Sequence, residues 1–275
     1  MFQTKQTLNS NHNEGISMVI YGEPGTGKTT VLGSLPEGQT LFIDADGGLS
    51  TLAKKKHTYI SMPLPDTAGD GQEYKFLDKL DEIYNSLRFE THPYLNIVID
   101  SASEFEKYLQ LALQNVRGKQ FMSLKEYGDA AQLTAKYLKQ FRDLKYPDNT
   151  KVRKPINIFF SALQFPLEIL KSSDITITKM YPMLTKKLAP TICGIVDIVA
   201  RMEILEDGKR GLRIIPLPDV TAKCRFANIF QENISQINGH IDLVTQVLEP
   251  IRKGDTLAPA KTKTKTEPKT KPGKL

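Results

Sequence analysis

A glycine-rich stretch near the start of the chain carries the residues best suited to binding phosphate. It matches the pattern G-x-x-x-x-G-K-[ST] and comprises Gly22, Glu23, Pro24, Gly25, Thr26, Gly27, Lys28, Thr29 and Thr30. Its glycines let successive backbone N–H groups turn inward around phosphate oxygens. Lys28 would reach the β- and γ-phosphates of a nucleoside triphosphate, and Thr29 would offer its hydroxyl to Mg²⁺. The pattern therefore predicts a nucleotide site.

The residues on either side of this loop have the character that the motif requires. Residues 18–21 form a short apolar run typical of a strand, and residues 29–34 can open a helix. The start of a helix adds partial positive charge where the phosphates would lie. The alternative is a glycine-rich turn that matches by chance, and the flanking strand and helix patterns count against it.

Two further apolar runs end in acids. Residues 39–43 lead into Asp44 and Asp46, and residues 96–99 lead into Asp100, which is followed by Ser101. Ligands bind at the C-terminal ends of strands in open α/β sheets, so these carboxylates are expected near the glycine-rich loop. Asp100 is predicted to hold Mg²⁺. The alternative is that Asp100 caps the helix that follows it.

Helical and strand patterns continue through the middle of the chain. Apolar residues at helical spacing predict helices over residues 72–88, 105–116 and 129–145. Residues 156–160 form a buried strand, and Gln164 follows its end, where it could sense a γ-phosphate or close the strand as an ordinary polar residue. Residues 165–187 suggest a hairpin beside the site. Asp207 and Gly208 mark a second hairpin.

A stretch between two predicted helices mixes basic and aromatic residues. Residues 117–128 contain Arg117, Lys119 and Lys125 together with Phe121 and Tyr127. Such a mixture suits the phosphates and unstacked bases of DNA. A solvated loop held by two aromatic anchors would have the same composition, so both interpretations stay open.

Length and composition define the broad class of the protein. The chain has 275 residues, of which 40% are hydrophobic, enough for one large α/β domain. It has no run of eighteen apolar residues and no apolar signal segment, which predicts a cytosolic protein. Cys193 and Cys224 stand apart, and the four histidines show no ligand spacing, so neither a disulfide framework nor a metal cluster is expected.

The positive charge is concentrated at the C-terminus. The net charge is +6, but residues 255–275 contain six lysines against two acids, which leaves only +2 for the rest. This segment consists mostly of Lys, Thr and Pro and is predicted to be disordered. We therefore expect a flexible N-terminus over residues 1–15, a folded domain over residues 16–250 and a tail over residues 251–275.

The order of these motifs resembles the RecA family of ATPases over residues 16–246. In some P-loop proteins the catalytic acid directly follows the metal-binding Asp, but here Asp100 is followed by Ser101. The Phe-Ile-Asp-Ala-Asp run that ends at Asp46 instead resembles the RecA strand whose terminal acid activates the attacking water. The loop, the Ile-Asp-x-Asp-Gly-Gly turn and the hairpin near Asp197 more narrowly resemble small bacteriophage RecA-like ATPases that act as single-strand annealing recombinases. The resemblance implies a RecA-like P-loop NTPase core with a mostly parallel central sheet and an added β-hairpin.

The resemblance also implies roles for individual residues. ATP and Mg²⁺ would be the cofactors, with Asp46 as the general base and Gln164 coupling the γ-phosphate to DNA-binding loops. Lys223 and Arg225 resemble the Lys-x-Arg pair that RecA-like subunits insert into a neighbour's site. The alternative for this pair is two surface cations that flank a buried Cys224. Asp46 is one methylene shorter than the usual Glu, and Gln164 follows a Ser-Ala-Leu spacer, so slow hydrolysis is expected.

Three functions are compatible with these features. The first is a DNA-stimulated ATPase that forms a ring or filament on single-stranded DNA, acts beside a single-stranded DNA-binding protein and promotes annealing or strand exchange. The second is an ATP-switched loader or partner-recruiting module. The third is a small-molecule kinase. A kinase lid would carry several arginines, whereas residues 112–148 contain only Arg117 and Arg142, which disfavours the third.

Overall fold

The computed structural model describes residues 14–65, 75–118, 121–146, 154–172 and 175–254. The strands are β1 (Ser17–Gly22), β2 (Thr40–Asp44), β3 (Thr58–Ser61), β4 (Asn96–Asp100), β5 (Asn157–Ser172), β6 (Ile175–Pro182), β7 (Ile198–Ile204), β8 (Arg210–Arg213), β9 (Lys223–Cys224) and β10 (Ile234–Ser235). The α-helices are α1 (Lys28–Leu32), α2 (Lys75–Phe89), α3 (Ala102–Val116), α4 (Leu124–Asp143), α5 (Leu188–Ile195) and α6 (Glu249–Lys253). A 3₁₀ turn spans Leu49–Leu52, and a π-helical turn spans Val244–Leu248.

The strands form one mostly parallel sheet, as the sequence predicts. Its order is β10-β8-β7-β1-β5-β4-β2-β3, with β6 paired to β5 and β9 paired to β7. The six strands from β7 to β3 in this order are parallel to their neighbours, and β6, β8, β9 and β10 pair antiparallel. Parallel strands bring their C-terminal ends to one edge of the sheet. The ends of β1, β2 and β4 therefore lie on the same side.

Helices and loops cover both faces of the sheet. In β1, Val19 and Tyr21 belong to an apolar cluster with helices α2 to α5, whereas Met18 and Ile20 belong to a second cluster with α1 and the C-terminal segment. This alternation follows from the two-residue repeat of a strand. Burial on both faces explains why the central strands are continuous apolar runs.

Helix α4 begins earlier than its apolar spacing suggested. Ser123 accepts a hydrogen bond from the backbone N–H of Glu126, and the Glu126 carboxylate accepts one from the Ser123 N–H at 2.7 Å. This capping box starts the helix at Leu124, so the predicted start at residue 129 was wrong. The proposed DNA-contacting loop is correspondingly shorter: Lys125 and Tyr127 lie in the first helical turn, and Lys119 lies outside the described residues.

The folded chain extends slightly beyond residues 16–250 at both ends. The Gly15 N–H donates to the Lys145 carbonyl at 2.8 Å, and α6 continues to Lys253, where Gly254 ends it with a φ of 67°. The tail boundary predicted at residue 251 therefore falls inside a helix. The predictions of a flexible N-terminus and a disordered tail concern residues 1–13 and 255–275, which lie outside the described residues.

A buried ion pair at Asp197 joins β1, the segment after α4 and the segment after β9. The Asp197 carboxylate accepts hydrogen bonds from the Lys145 ammonium at 2.8 and 2.9 Å, from the Ser17 N–H and hydroxyl at 2.8 and 2.7 Å, and from Arg225 at 3.0 Å. Burial alone would raise the pKa of Asp197. The hydrogen bonds from Lys145 and Ser17 outweigh that effect, so the pKa lies below its ordinary value.

Replacing Asp197 with alanine is expected to lower the free energy of unfolding by about 3–5 kcal/mol, because it leaves the Lys145 ammonium buried without its counter-charge. Since the pKa of Asp197 is depressed in the folded state, its contribution is present above the ordinary carboxyl pKa and is lost as pH falls through the folded value. Urea denaturation at pH 7 and at lower pH measures both effects. Asp207→Ala removes an exposed acid paired with Lys209 and should leave stability nearly unchanged; equal effects of the two variants would contradict this account.

Candidate nucleotide-binding site

The glycine-rich loop joins β1 to α1 in a conformation that requires glycine at two positions. Gly25 has a φ of 76° and Gly27 a φ of 99°, a region that side chains with a Cβ rarely adopt. The Thr26 hydroxyl donates to the Glu23 carbonyl at 2.9 Å and closes the turn. The loop is thus fixed by backbone geometry and by one local hydrogen bond.

Lys28 begins helix α1 and folds back over the loop. Its ammonium donates to the carbonyls of Gly22 at 3.1 Å and Glu23 at 2.8 Å. Burial lowers the pKa of Lys28, and the carboxylates of Asp100 and Asp46 oppose this shift. The lysine therefore provides a positive charge directly above the loop, where an incoming phosphate would lie.

A cavity of about 290 Å³ opens beside this loop. Its walls contain residues that the sequence predicted for the site, together with residues from β5 and the first residue of β8. The lining residues are Pro24, Gly25, Gly27, Lys28, Thr29, Thr30, Asp46, Thr51, Asp100, Ser101, Ser161, Leu163 and Arg210. The structure therefore places the phosphate-binding motif and the two predicted acids in one cavity.

Asp100 is held at the back of this cavity by two hydroxyl groups. The Thr29 hydroxyl donates to one carboxylate oxygen at 2.8 Å, and the Ser161 hydroxyl donates to the other. Burial raises the pKa of Asp100, the hydrogen bonds from Ser161 and Thr29 lower it, and the net shift is upward. A buried carboxylate beside a threonine hydroxyl is a set of hard oxygen donors that fits Mg²⁺, and a cation there would favour the ionised form.

Asp46 reaches the cavity because Asp44 shapes the turn after β2. The Asp44 carboxylate accepts hydrogen bonds from the N–H groups of Asp46 at 3.2 Å and Gly47 at 2.8 Å. Strand β2 ends at Asp44, so Asp46 lies in the turn and does not end the strand as the sequence suggested. Partial burial, followed by the nearby carboxylates of Asp100 and Glu104, raises the pKa of Asp46.

Gln164 contacts the glycine-rich loop through the side chain of Glu23. Its amide N–H donates to the Glu23 carboxylate at 2.9 Å, and its amide oxygen accepts from Arg201 at 3.1 Å. Its neighbour Leu163 lines the cavity. Gln164 also stands where β5 begins to pair with β6, opposite Pro182. The residue thus joins the loop to the base of the β5–β6 hairpin.

Lys223 and Arg225 lie away from this cavity and have partners within the chain. The Lys223 ammonium donates to the carbonyls of Cys193, Gly194 and Val196 at 2.6 to 3.0 Å, which satisfies the C-terminal end of α5. Arg225 donates to the Gly194 carbonyl at 3.2 Å in addition to pairing with Asp197. The sequence analysis anticipated neither partner. Cys224 between them is half-buried.

Ser161 and Arg210 line the cavity but were not predicted as site residues. Ser161 orients Asp100, and its signal was a polar residue at the end of a buried strand. Arg210 begins β8 and reaches the glycine-rich loop from the hairpin after β7. Nothing in its local sequence distinguishes it from neighbouring Lys209, because its place in the cavity depends on how β7 pairs with β1.

The comparison with protein families agrees with this geometry. Residues 14–226 match the model of an AAA domain, AAA_24. The chain belongs to this AAA domain family. The match covers β1 to β9 and the whole cavity, which supports an ATP-binding ATPase domain with a P-loop fold. No curated protein sequence matches the chain.

The comparison with solved structures matches one protein over part of its length. It is described as a prototypical ATPase from the type III secretion system of pathogenic bacteria, with 13% sequence identity and a TM-score of 0.39. The match covers 69% of this chain and 52% of the solved protein chain, so this chain spans about half the length of that protein.

Within the described ranges, no helix has the length and apolar character needed to cross a membrane.

Proposed function

We propose that this AAA domain protein hydrolyses ATP with Mg²⁺ and that nucleotide turnover controls its binding to single-stranded DNA. The observation that carries the proposal is the meeting of Lys28, Thr29, Asp46 and Asp100 in one cavity. Phosphoryl transfer requires little covalent chemistry from the protein; it requires phosphates to be held in place and their charge to be neutralised. These four side chains have the charges and donors for both tasks.

Each of these residues has a distinct task in the proposed reaction. Lys28 and the N–H groups of the loop would bind phosphate oxygens, and Lys28 would exchange its two carbonyl partners for the nucleotide. Thr29 and Asp100 would hold Mg²⁺, which when bound neutralises charge on the phosphates. Ser161 would keep the Asp100 carboxylate in its orientation. The cavity thus supplies binding and charge neutralisation before any proton is moved.

Asp46 would act as the general base that takes a proton from the attacking water. A base becomes more effective as its pKa rises from the acid range towards the working pH. The pKa of Asp46 lies above its ordinary value, because the carboxyl is partly buried and close to other carboxylates. The hydrogen bonds of Asp44 fix the turn that carries it, so the carboxylate is held over the cavity by the backbone. The side chain of Asp is one methylene shorter than that of Glu and would hold the attacking water less closely, which is our reason for expecting slow hydrolysis.

Single-stranded DNA binding is proposed from the surface at the start of α4 and from the lysine-rich tail. Phe121 and Leu124 are 79% and 92% exposed, and Tyr127 is also exposed. Exposed aromatic rings beside cations suit stacking on unpaired bases. Arg117 pairs with Glu126 at 3.4 Å and with Asp129 at 3.0 Å, so its charge is partly compensated. The tail lysines would then contribute much of the electrostatic attraction.

We further propose that the protein assembles with copies of itself and promotes annealing, as the resemblance to RecA-like recombinases implies. In this proposal Gln164 transmits the state of the nucleotide to the β5–β6 hairpin. The pairing of β5 with β6 begins at Gln164, opposite Pro182. Lys223 and Arg225 would have to exchange their carbonyl and Asp197 partners to reach a neighbouring subunit's nucleotide. The pair therefore serves as an α5 cap in the isolated chain.

The proposal is tested by measuring ATP turnover with and without single-stranded DNA and by following annealing of labelled complementary strands. We expect turnover that depends on Lys28 and rises with DNA, together with annealing that depends on ATP. Turnover without annealing would favour the loader or recruiting module. If the protein showed neither ATP turnover nor annealing, the proposed function would be contradicted.

Deleting residues 255–275 is expected to weaken single-stranded DNA binding and to flatten its salt dependence. Each lysine bound to a phosphate displaces a counterion, with a slope of about −0.7 per phosphate on single strands, so partial engagement should lower the slope by roughly 1–3 units. Fluorescence anisotropy over a range of salt concentrations measures this slope. A chain that keeps the tail but carries glutamine at its six lysine positions separates charge from length. An unchanged slope would favour a tail that aids solubility or docks on an acidic partner protein. It would return the DNA contacts to Arg117, Lys119, Lys125 and the region of Lys186 and Lys187.

A further inference from the structure

The hairpin formed by β7 and β8 brings an arginine to the glycine-rich loop. Strand β7 runs parallel to β1, with Tyr21 opposite Arg201, so the end of β7 lies beside the start of the loop. The chain then turns through Gly208, with a φ of 77°, and returns in β8, whose first residue is Arg210. Arg210 pairs with Ile204 across the hairpin. The hairpin thus brings a cation that is distant in sequence to the phosphate-binding loop.

The contact between Arg210 and the loop is direct. A Cβ placed on Gly27 would lie 3.1 Å from the Nε atom of Arg210 and 3.3 Å from its Cδ atom. A residue larger than glycine at this position would therefore press on the arginine as well as strain the backbone. Arg210 also lines the cavity together with Lys28 and Thr29. Its guanidinium therefore lies against the loop at Gly27 and on the wall of the cavity.

Arg210 differs from three other arginines that lie in or next to strands β7 to β9. Arg201 donates to Gln164, Arg213 forms an ion pair with Glu203 at 2.8 Å, and Arg225 forms one with Asp197 at 3.0 Å. The guanidinium of Arg210, by contrast, makes no hydrogen bond or ion pair with any residue in the described part of the chain, and the side chain is exposed. Its five N–H donors are therefore available to a ligand.

We propose that Arg210 binds phosphate oxygens of the nucleotide in its own subunit. This inference rests on the proposed ATP site and adds a second cation to it. A guanidinium can bind two phosphate oxygens at once, which a lysine ammonium cannot match in geometry. Lys28 approaches the phosphates from the start of α1, and Arg210 approaches from the β7–β8 hairpin. Both of these cations would then come from the subunit that binds the nucleotide, and a neighbouring subunit could add a further one.

Calorimetric titration of ATP into Arg210→Ala, Arg210→Lys and Lys209→Ala tests this role. We expect Arg210→Ala to weaken ATP binding by about tenfold, the loss expected for one charge-assisted contact. Arg210→Lys should recover part of the affinity, because it keeps the charge and loses the two-point geometry. Lys209→Ala is the matched control: it removes the same charge one residue away, from a side chain that bonds to Asp207 in the turn, and should bind as wild type. Wild-type affinity in Arg210→Ala would overturn the inference.

Lys28→Ala in the same titration separates this inference from the proposed function. If wild-type protein binds ATP, Lys28→Ala does not and Arg210→Ala binds normally, the ATP site stands and the role of Arg210 fails. If wild-type protein binds no ATP, both proposals fail. Melting curves of all variants confirm that each is folded.

Mixing variant chains tests whether Arg210 acts in cis. In a mixture of Arg210→Ala with Lys28→Ala, assayed at an ATP concentration too low to fill the weakened Arg210→Ala site, each chain lacks one cation of its own site, so we expect no recovery of turnover. A mixture of Arg225→Ala with Lys28→Ala should recover turnover if Arg225 acts on a neighbour, because some interfaces then pair an intact loop with an intact Arg225. Recovery in the Arg210 mixture would show that Arg210 acts in trans and would overturn the cis assignment.

Discussion

Replacing Lys28 with alanine is expected to reduce ATP turnover by about 10³-fold or more while leaving the melting temperature unchanged. The ammonium is the cation placed above the loop, and its present partners are two backbone carbonyls of that loop. Removing it withdraws charge from the phosphates without opening a space in either apolar cluster. Steady-state ATPase assays and thermal melting measure the two effects.

The matched control for this variant is Lys54→Ala, which removes an exposed lysine outside the cavity. It should keep wild-type turnover. If Lys28→Ala hydrolysed ATP as fast as Lys54→Ala and melted at the same temperature, the glycine-rich loop would not be the site of phosphate binding. A large fall in melting temperature would instead give Lys28 a structural role that its two carbonyl contacts do not suggest.

The parts of the site that depend on short-range sequence were predictable. The loop needs glycines at positions with positive φ, and a strand must lead into it; both requirements are written in ten consecutive residues. The placement of Asp46 and Asp100 followed from one further rule, that acids at the ends of parallel strands meet at one edge of the sheet. These inferences needed no knowledge of which strands are neighbours.

The parts that depend on strand order were not predictable. Gln164 and Glu23 are 141 residues apart and meet because β5 lies beside β1. Arg210 reaches the loop because β7 lies on the other side of β1. No local pattern encodes either neighbour relation, because every central strand of this sheet is an apolar run buried on both faces.

The Lys-x-Arg pattern shows a different limit. A motif gives the types and spacing of charges but not the groups that they meet, and here Lys223 meets three carbonyls at the end of α5. The start of α4 shows the reverse case: the Ser-x-x-Glu capping box at Ser123 was present in the sequence, but the prediction of this helix used apolar spacing alone. Local capping chemistry defined this boundary better than apolar spacing did.

Replacing Asp46 with asparagine is expected to lower ATP turnover by about 10²–10⁴-fold while nucleotide binding is retained. An amide has nearly the shape of the carboxylate but cannot take a proton from water at neutral pH. Since the pKa of Asp46 is raised, wild-type turnover should fall as pH drops through that raised value, and this limb should be absent from the residual activity of Asp46→Asn. Turnover measured from acid to neutral pH, with ATP affinity by calorimetry, separates the base from a binding residue.

Two further variants decide whether the base is Asp46 itself. Asp46→Glu keeps the carboxylate and extends it by one methylene, so it should preserve or raise turnover if reach limits the rate. Glu104→Gln is the matched control, because Glu104 is an acid close enough to raise the pKa of Asp46 but bonds to Lys107 and does not line the cavity. Normal hydrolysis by Asp46→Asn would move the assignment to Asp44 or Glu104. A loss of turnover in Glu104→Gln alone would select Glu104. Asp44 is the less suitable base, because its carboxylate already accepts hydrogen bonds from two N–H groups of the turn.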